Sequence, residues 1–225
     1  SGEEIKNSKQ KELRIIDTLE PVMVYKLQSL AERVKRLQMS YSELYNLIVA
    51  ELTQAIVNKI VDLALVEGDG TNGFKSIDKE ADVKKIKKIT TKAKSAGKTP
   101  FADAIEEAVD FVRPTAGRRY LIVKTEDRKA LLDELRQATA NANVRIKNDD
   151  TEIASEVGVD EIIVYTGSKA LKPTVLVDQK YHIDMQDLTK VDAFEWKTNS
   201  NMILVETLTS GHVETYNAGA VITVS

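Results

Sequence analysis

The chain has 225 residues, 42% hydrophobic and 30% charged, with a formal net charge of −3. This balance reads as a soluble globular chain of one large or two small folded units, and it excludes long disorder and general nucleic-acid binding. There is no cysteine, so disulfides and thiolate metal sites are excluded, and the two histidines, His182 and His212, lie far apart in sequence.

No apolar run approaches the ~18 residues needed to cross a bilayer. The opening "SGEEIKNSKQKEL" has neither the apolar core of a secretion signal nor an initiator Met. The expectation is therefore a fragment or a processed form.

Residues 1–20 are polar, with a short apolar patch at Leu13, Ile15 and Ile16. After Pro21, "VMVYKLQSLAERVKRLQ" reads as extended at its start and helical at its end. Ser40 and Glu43 have capping-box spacing, in which hydroxyl and carboxylate each satisfy an orphan backbone N–H. From there to Val66 no Gly or Pro intervenes, giving roughly 26 residues or ~39 Å of helix. Leu44, Ile48, Leu52, Ile56 and Ile60 form one i, i+4 ridge; Tyr45, Val49, Val57, Val61 and Leu65 form a second. Two ridges predict a helix covered on most of its girth, by a sheet or by other chains.

The stretch "VEGDGTNGFKS" contains a literal G-x-G-x-x-G at Gly68, Gly70 and Gly73. A dinucleotide fingerprint requires a strand before the first glycine and a helix after it. Here a long helix comes first, so the expectation is a helix stop followed by an Asp-Gly/Asn-Gly turn, with Asp69 bonded to nearby backbone rather than serving as metal ligand or base.

Residues 79–98 carry eight lysines, with Val83, Ile86 and Ile89 spaced for a helical or mixed face. A solvated face is the favoured reading of this stretch, Lys84–Lys98 included, over a contact with acidic protein or packaged nucleic acid. Thr99 and Pro100 open a second helix as N-cap and N1, with Phe101, Ala104, Ile105, Ala108 and Val112 buried. The carboxylates of Glu106, Glu107 and Asp110 fall on its solvated surface. "RYLIVK" (119–124) reads as a buried strand. Thr125 caps a third helix with an inner face of Leu131, Leu132, Leu135 and Ala138.

A loop, the short helix "EIASEVG" and the strand "EIIVYT" (161–166) follow. Three more strands are expected at 174–179, 193–198 and 202–208. Ser210-Gly211 reads as a hairpin turn into the last strand. Phe194 and Trp196 alternate as a same-face core or contact pair, and both histidines read as surface or strand residues. No serine or threonine sits in a nucleophile elbow.

The order of these pieces carries a resemblance. "LALVEGDGTNGF" ends the long helix; "FADAIEEAVDFV", "YLIVKTEDRKALLDEL" and "ASEVGVDEIIVYT" follow, and "FEWKTNSNMILVETLTSGHVETYNAGAVITVS" comes last. Over residues 21–225 this resembles the major capsid proteins of tailed bacteriophages, the Hong Kong 97 type of shell fold. The resemblance implies an α+β fold with a long P-domain helix and an α/β A-domain. It divides the chain into a remnant or linker at 1–20, P-domain-like residues 21–118 and 191–225, and A-domain-like residues 119–190. About forty residues precede the long helix, so the N-terminal arm and the E-loop are expected to be largely absent.

The function implied is a structural subunit of an icosahedral phage head, forming pentamers and hexamers around packaged double-stranded DNA without sequence-specific binding. Scaffolding, protease and portal proteins are the implied partners, with assembly in the bacterial host cytoplasm. No membrane, cofactor, metal or catalytic residue is implied. The lysine of the isopeptide cross-link known in some relatives belongs to the E-loop, so it is not carried over. Two alternatives stand: an encapsulin-type nanocompartment shell, and a small α/β nucleotide-binding enzyme using the Gly68–Gly73 loop.

Overall fold

A computed structural model describes residues 20–28, 38–71, 73–92, 99–140, 146–195 and 200–224. Strand β1 (Glu20–Gln28) is followed by helix α1 (Tyr41–Asp62), which runs on into a π-helical turn (Leu63–Glu67). Next come β2 (Ile86–Thr90), α2 (Pro100–Val112), β3 (Arg119–Val123), α3 (Thr125–Thr139) and α4 (Asp150–Val157). The rest is strand: β4 (Glu161–Val164), β5 (Thr174–Val177), β6 (Tyr181–Met185), β7 (Thr189–Glu195), β8 (Ser200–Val213) and β9 (Gly219–Thr223). No helix among the described residues is long and apolar enough to cross a membrane.

Helix α1 begins where the sequence says it should. The Glu43 N–H donates to Ser40 Oγ at 3.2 Å, and the Ser40 N–H donates to Glu43 Oε2 at 2.9 Å. The first ridge is buried against Ile203 and Val205 of β8 and against Phe74. The second ridge departs from expectation. Val49 and Leu65 are buried, but Val57 and Val61 are 46% and 38% exposed. Within one chain, α1 is covered along a single stripe, where β1 and β8 lie against it.

Two sheets organise the molecule. In the first, the fourteen-residue β8 pairs antiparallel with β1 along one side. Its other side takes β7 at Ser200–Glu206 and β6 at Thr209–Val213. The second sheet has the order β2-β9-β5-β3-β4, with β2/β9 and β3/β4 parallel and β5 antiparallel to both its neighbours. Helices α2, α3 and α4 cover one of its faces, burying Ile105, Val112, Leu131, Leu135 and Ile153 against Leu121, Val123, Val175, Val177 and Ile222. Its other face, with Ile86, Ile122 and Val221, packs on Leu65, Ile77, Tyr165, Leu171 and Val213. That third cluster joins the end of α1 and the end of β8 to the second sheet.

Four expectations need correction. Ser210 and Gly211 do not turn the chain; both lie inside β8. A Cβ on Gly211 would come within 2.7 Å of the Phe74 ring and 2.8 Å of the Tyr181 ring, so this glycine serves close packing. The reversal comes after Val213 and ends with Asn217 at φ 53°; β9 then leaves for the other sheet instead of closing a hairpin. The lysine-rich segment is not helical at Ile86–Thr90 but forms β2. Ile86 faces one core and Ile89 the opposite one, so a strand buried on both faces mimics a three-residue spacing. Residue Thr125 is the first residue of α3, and Lys124 occupies the N-cap without a side-chain hydrogen bond.

The division at 118/119 and 190/191 also cuts across the packing. Strands β2 and β9 and helix α2 share the sheet and core of β3 to β5, while β6 pairs with β8. The expected same-face pair lies outside the description: residue 196 and the side chain of residue 194 are not among the described parts.

Candidate functional site

The glycine loop is tied to itself and to its neighbours. The Gly68 N–H donates to Leu63 O, the Gly70 N–H to Phe74 O, and the Ser76 N–H to Gly68 O. Asp69 Oδ1 accepts from the Thr71 N–H at 2.9 Å and from Thr71 Oγ1 at 2.6 Å. These two bonds hold the Asp69 carboxyl below its ordinary range. The loop also follows the C-terminal end of a helix, whose exposed carbonyls carry partial negative charge. Turn hydrogen bonds account for the course of the chain from Gly68 to Thr71.

Among the described residues, four of these lysines are tied to the chain's own groups. Lys79 Nζ donates to Glu67 O at 2.8 Å and Lys85 Nζ to Val213 O at 3.0 Å. Lys88 Nζ donates to Ile77 O and Asp78 O at 3.0 and 2.6 Å, and burial holds its amine below the usual lysine range. Lys87 pairs with Glu107 at 2.8 Å and lies over the Phe111 ring. Residues 93–98 of the expected basic face lie outside the described residues. On the α2 surface Glu106, Glu107 and Asp110 are exposed, as expected.

A polar latch surrounds the end of α1. The Tyr165 hydroxyl donates to Asp62, and Glu67 pairs with both Lys169 and Lys59. Lys172 reaches Asp78 at 2.9 Å. The hydrogen bonds from Lys169 and then Lys59 hold the Glu67 carboxyl low. These contacts fix the second sheet to the helix that carries the first.

Glu134 was not singled out by the sequence. It is 6% exposed, and its Oε1 accepts the backbone N–H groups of Phe101 and Ala102 at 2.9 and 3.1 Å. Helix α2 is thus capped from α3, while Thr99 at the N-cap makes no side-chain cap bond and its Oγ1 donates to Asp103. The signal in the sequence was a charged residue adjoining Leu135 on an apolar helix face. A cavity of about 290 Å³ beside it is lined by Thr91, Lys92, Pro100, Asp133 and Gln137 among others. Its deepest carboxylate is already committed to the helix.

No family model matches the sequence. Solved structures do match. The capsid of an empty GTA particle aligns over 92% of this chain and 72% of its own, at 12% identity and a TM-score of 0.61. A chain of Mycobacterium phage Bobi aligns over the same shares at 13% identity and a TM-score of 0.65. The fold is that of the tailed-phage capsid proteins. The virus-like particle from Pyrococcus furiosus shares it too, at 14% identity and a TM-score of 0.58, over 91% of this chain and 75% of its own.

Within this capsid fold the exposed apolar residues are not scattered at random. Val57 and Val61 lie one turn apart on α1; Ile183 and Met185, 43% and 55% exposed, lie on one face of β6. The two histidines, distant in sequence, stand opposite each other where β6 pairs with β8. Among the described residues, no three histidine, aspartate or glutamate side chains are grouped so that they could hold a metal ion.

Proposed function

We propose that this chain is a structural subunit of a closed protein shell, a phage head protein that assembles with copies of itself. The observation that carries the reading is the match of nearly the whole chain to capsid chains, at TM-scores up to 0.65. Three features support it. The α1 rod and the two sheets are locked together by the third core cluster and the polar latch, giving a stiff block. Exposed apolar residues on α1 and β6 offer contact area for neighbours. A net charge of −3 suits a wall that encloses DNA without gripping it.

In this reading the subunits form pentamers and hexamers around packaged double-stranded DNA in the virion. Assembly takes place in the bacterial cytoplasm with scaffolding, protease and portal proteins. Heterologous contacts whose rotation closes produce such rings and shells. The chain itself carries out no catalytic step.

Sedimentation velocity and negative-stain microscopy of the purified chain test the reading. Rings or closed particles are expected. A monomer at every concentration that binds nucleotide saturably, with binding lost in Gly70→Val, would establish the enzyme alternative instead. A second reading, a nanocompartment shell without DNA, is favoured by the likeness to the Pyrococcus particle. Nuclease-protected nucleic acid inside purified native particles separates the two.

A further inference from the structure

The two open edges of the second sheet carry opposite charge. Strand order places β2 at one edge and β4 at the other, four strand spacings or about 19 Å apart. Both faces of the sheet are already buried, one under α2 to α4 and one in the third core cluster. Its edges are the directions left in which it can meet another molecule.

Residues 84–92, which hold β2 and its flanks, contain five lysines and no carboxylate. Residues 149–164, which hold α4 and β4, contain six carboxylates and no lysine or arginine. Helix α4 packs on β4, so both acidic elements lie at the same edge. The chain cancels only part of this charge. Among the described residues, Lys87 is paired with Glu107, Asp150 with Arg128 and Glu161 with Arg118. Lys85 and Lys88 end on carbonyl oxygens, which fixes the amines without neutralising them. Four lysines at one edge and four carboxylates at the other are left without an ion-pair partner among the described residues.

Each edge also shows one aliphatic side chain to solvent. Val83, just before the lysine run, is 65% exposed, and Ile163 of β4 is 41% exposed. Strand direction matches as well. Strand β2 runs parallel to β9 and β3 parallel to β4, while β5 is antiparallel to both β9 and β3, so β2 and β4 point the same way. Rotation about an axis along the strands brings β4 of one copy beside β2 of the next with no reversal.

We propose that the β2 edge of one copy docks on the β4 edge and α4 of a second copy, a head-to-tail contact steered by charge. Such a contact uses different surfaces on its two partners, so it can repeat around a ring. Closure of that ring rests on the proposed shell function; the pairing of the two edges does not.

Two charge-reversed variants test it: Lys84→Glu with Lys92→Glu at the basic edge, and Glu156→Lys with Glu161→Lys at the acidic edge. All four side chains are exposed, so circular dichroism melts should stay close to those of the wild type. In sedimentation velocity the wild type should self-associate, and more weakly in about 500 mM NaCl than in about 50 mM. At the lower salt each variant alone, with like charge at both edges, should associate at least about tenfold more weakly than the wild type. An equimolar mixture of the two variants should regain association, because each supplies the edge charge that the other lacks. Recovery on mixing also shows that both variants are folded. Wild-type association that survives either reversal, or a mixture that stays dissociated, overturns the edge contact and leaves the shell reading standing. Salt-sensitive rings or chains that never close into particles would support the edge contact and count against the shell. A wild type that is monomeric at every concentration overturns both.

Discussion

The phenolic hydroxyl of Tyr165 donates a hydrogen bond to the carboxylate of Asp62, tying the segment after β4 to the last α-helical residue of α1. Burial first, and Asp62 second, push the Tyr165 phenol up to about 12. Tyr165→Phe should lower stability at neutral pH by about 1.5 kcal/mol, the lower end for a bond to a charged group, because Asp62 is half-buried. The sign with pH follows. A phenol whose folded value is raised stabilises fully below its unfolded value of about 10, and loses that contribution as pH climbs through about 12. The wild type should therefore weaken across that window more steeply than Tyr165→Phe in urea melts; equal slopes would refute the latch.

Glu134 is the cap of α2, so its removal orphans two buried N–H groups at once. Glu134→Ala should cost about 2–3 kcal/mol, and Glu134→Gln less, because the amide oxygen still accepts. Urea midpoints at a shared slope provide the comparison. If the two variants prove equally stable, the carboxylate is not acting as a cap.

At Gly211 the expected effect is steric. A methyl group there meets the Phe74 and Tyr181 rings well inside contact distance. Gly211→Ala should destabilise by about 1–3 kcal/mol, as overpacking does. Adding Phe74→Leu should recover part of the loss, giving a non-additive double-mutant cycle. Strict additivity would show that the two positions do not touch.

Val57 and Val61 present apolar surface on α1 that the chain's own sheet leaves uncovered. Under the proposed function, the double substitution Val57→Lys, Val61→Lys should leave the thermal midpoint of the isolated chain nearly unchanged while abolishing rings or particles in sedimentation. Normal assembly by the variant would exclude this strip from the subunit contact.

Legibility followed the range of the interaction. The Ser40–Glu43 box, the buried ridge from Leu44 to Ile60 and the Asp69 turn were readable, because their partners lie within a few residues in sequence. Pro100 marked α2 correctly, yet the group that caps the helix comes from residue 134, beyond the reach of a local pattern. The β2 segment misled because its two isoleucines serve two different cores. Gly211 misled for a related reason: a Ser-Gly pair looks like a turn until Phe74 and Tyr181 are seen pressing on it.

The two histidines show the same limit more sharply. Each histidine alone was an ordinary strand residue, and nothing within "QKYHIDMQ" points to position 212. Only the pairing of β6 with β8 sets the two rings together. The order of elements, in contrast, was enough to bring out the capsid resemblance, because order survives where pairwise identity has fallen to 12–13%.

The placement of β8 and β9 also bears on biosynthesis. Strand β8 is the spine of one sheet, and β9 stands between β2 and β5 in the other. Strands β1, β2, β6 and β7 have no sheet partner, and β5 has one open edge, until residues 200–223 leave the ribosome. A nascent chain of this design displays sticky edges for most of its translation, so its yield in cells should depend on chaperone supply more than its final stability would suggest.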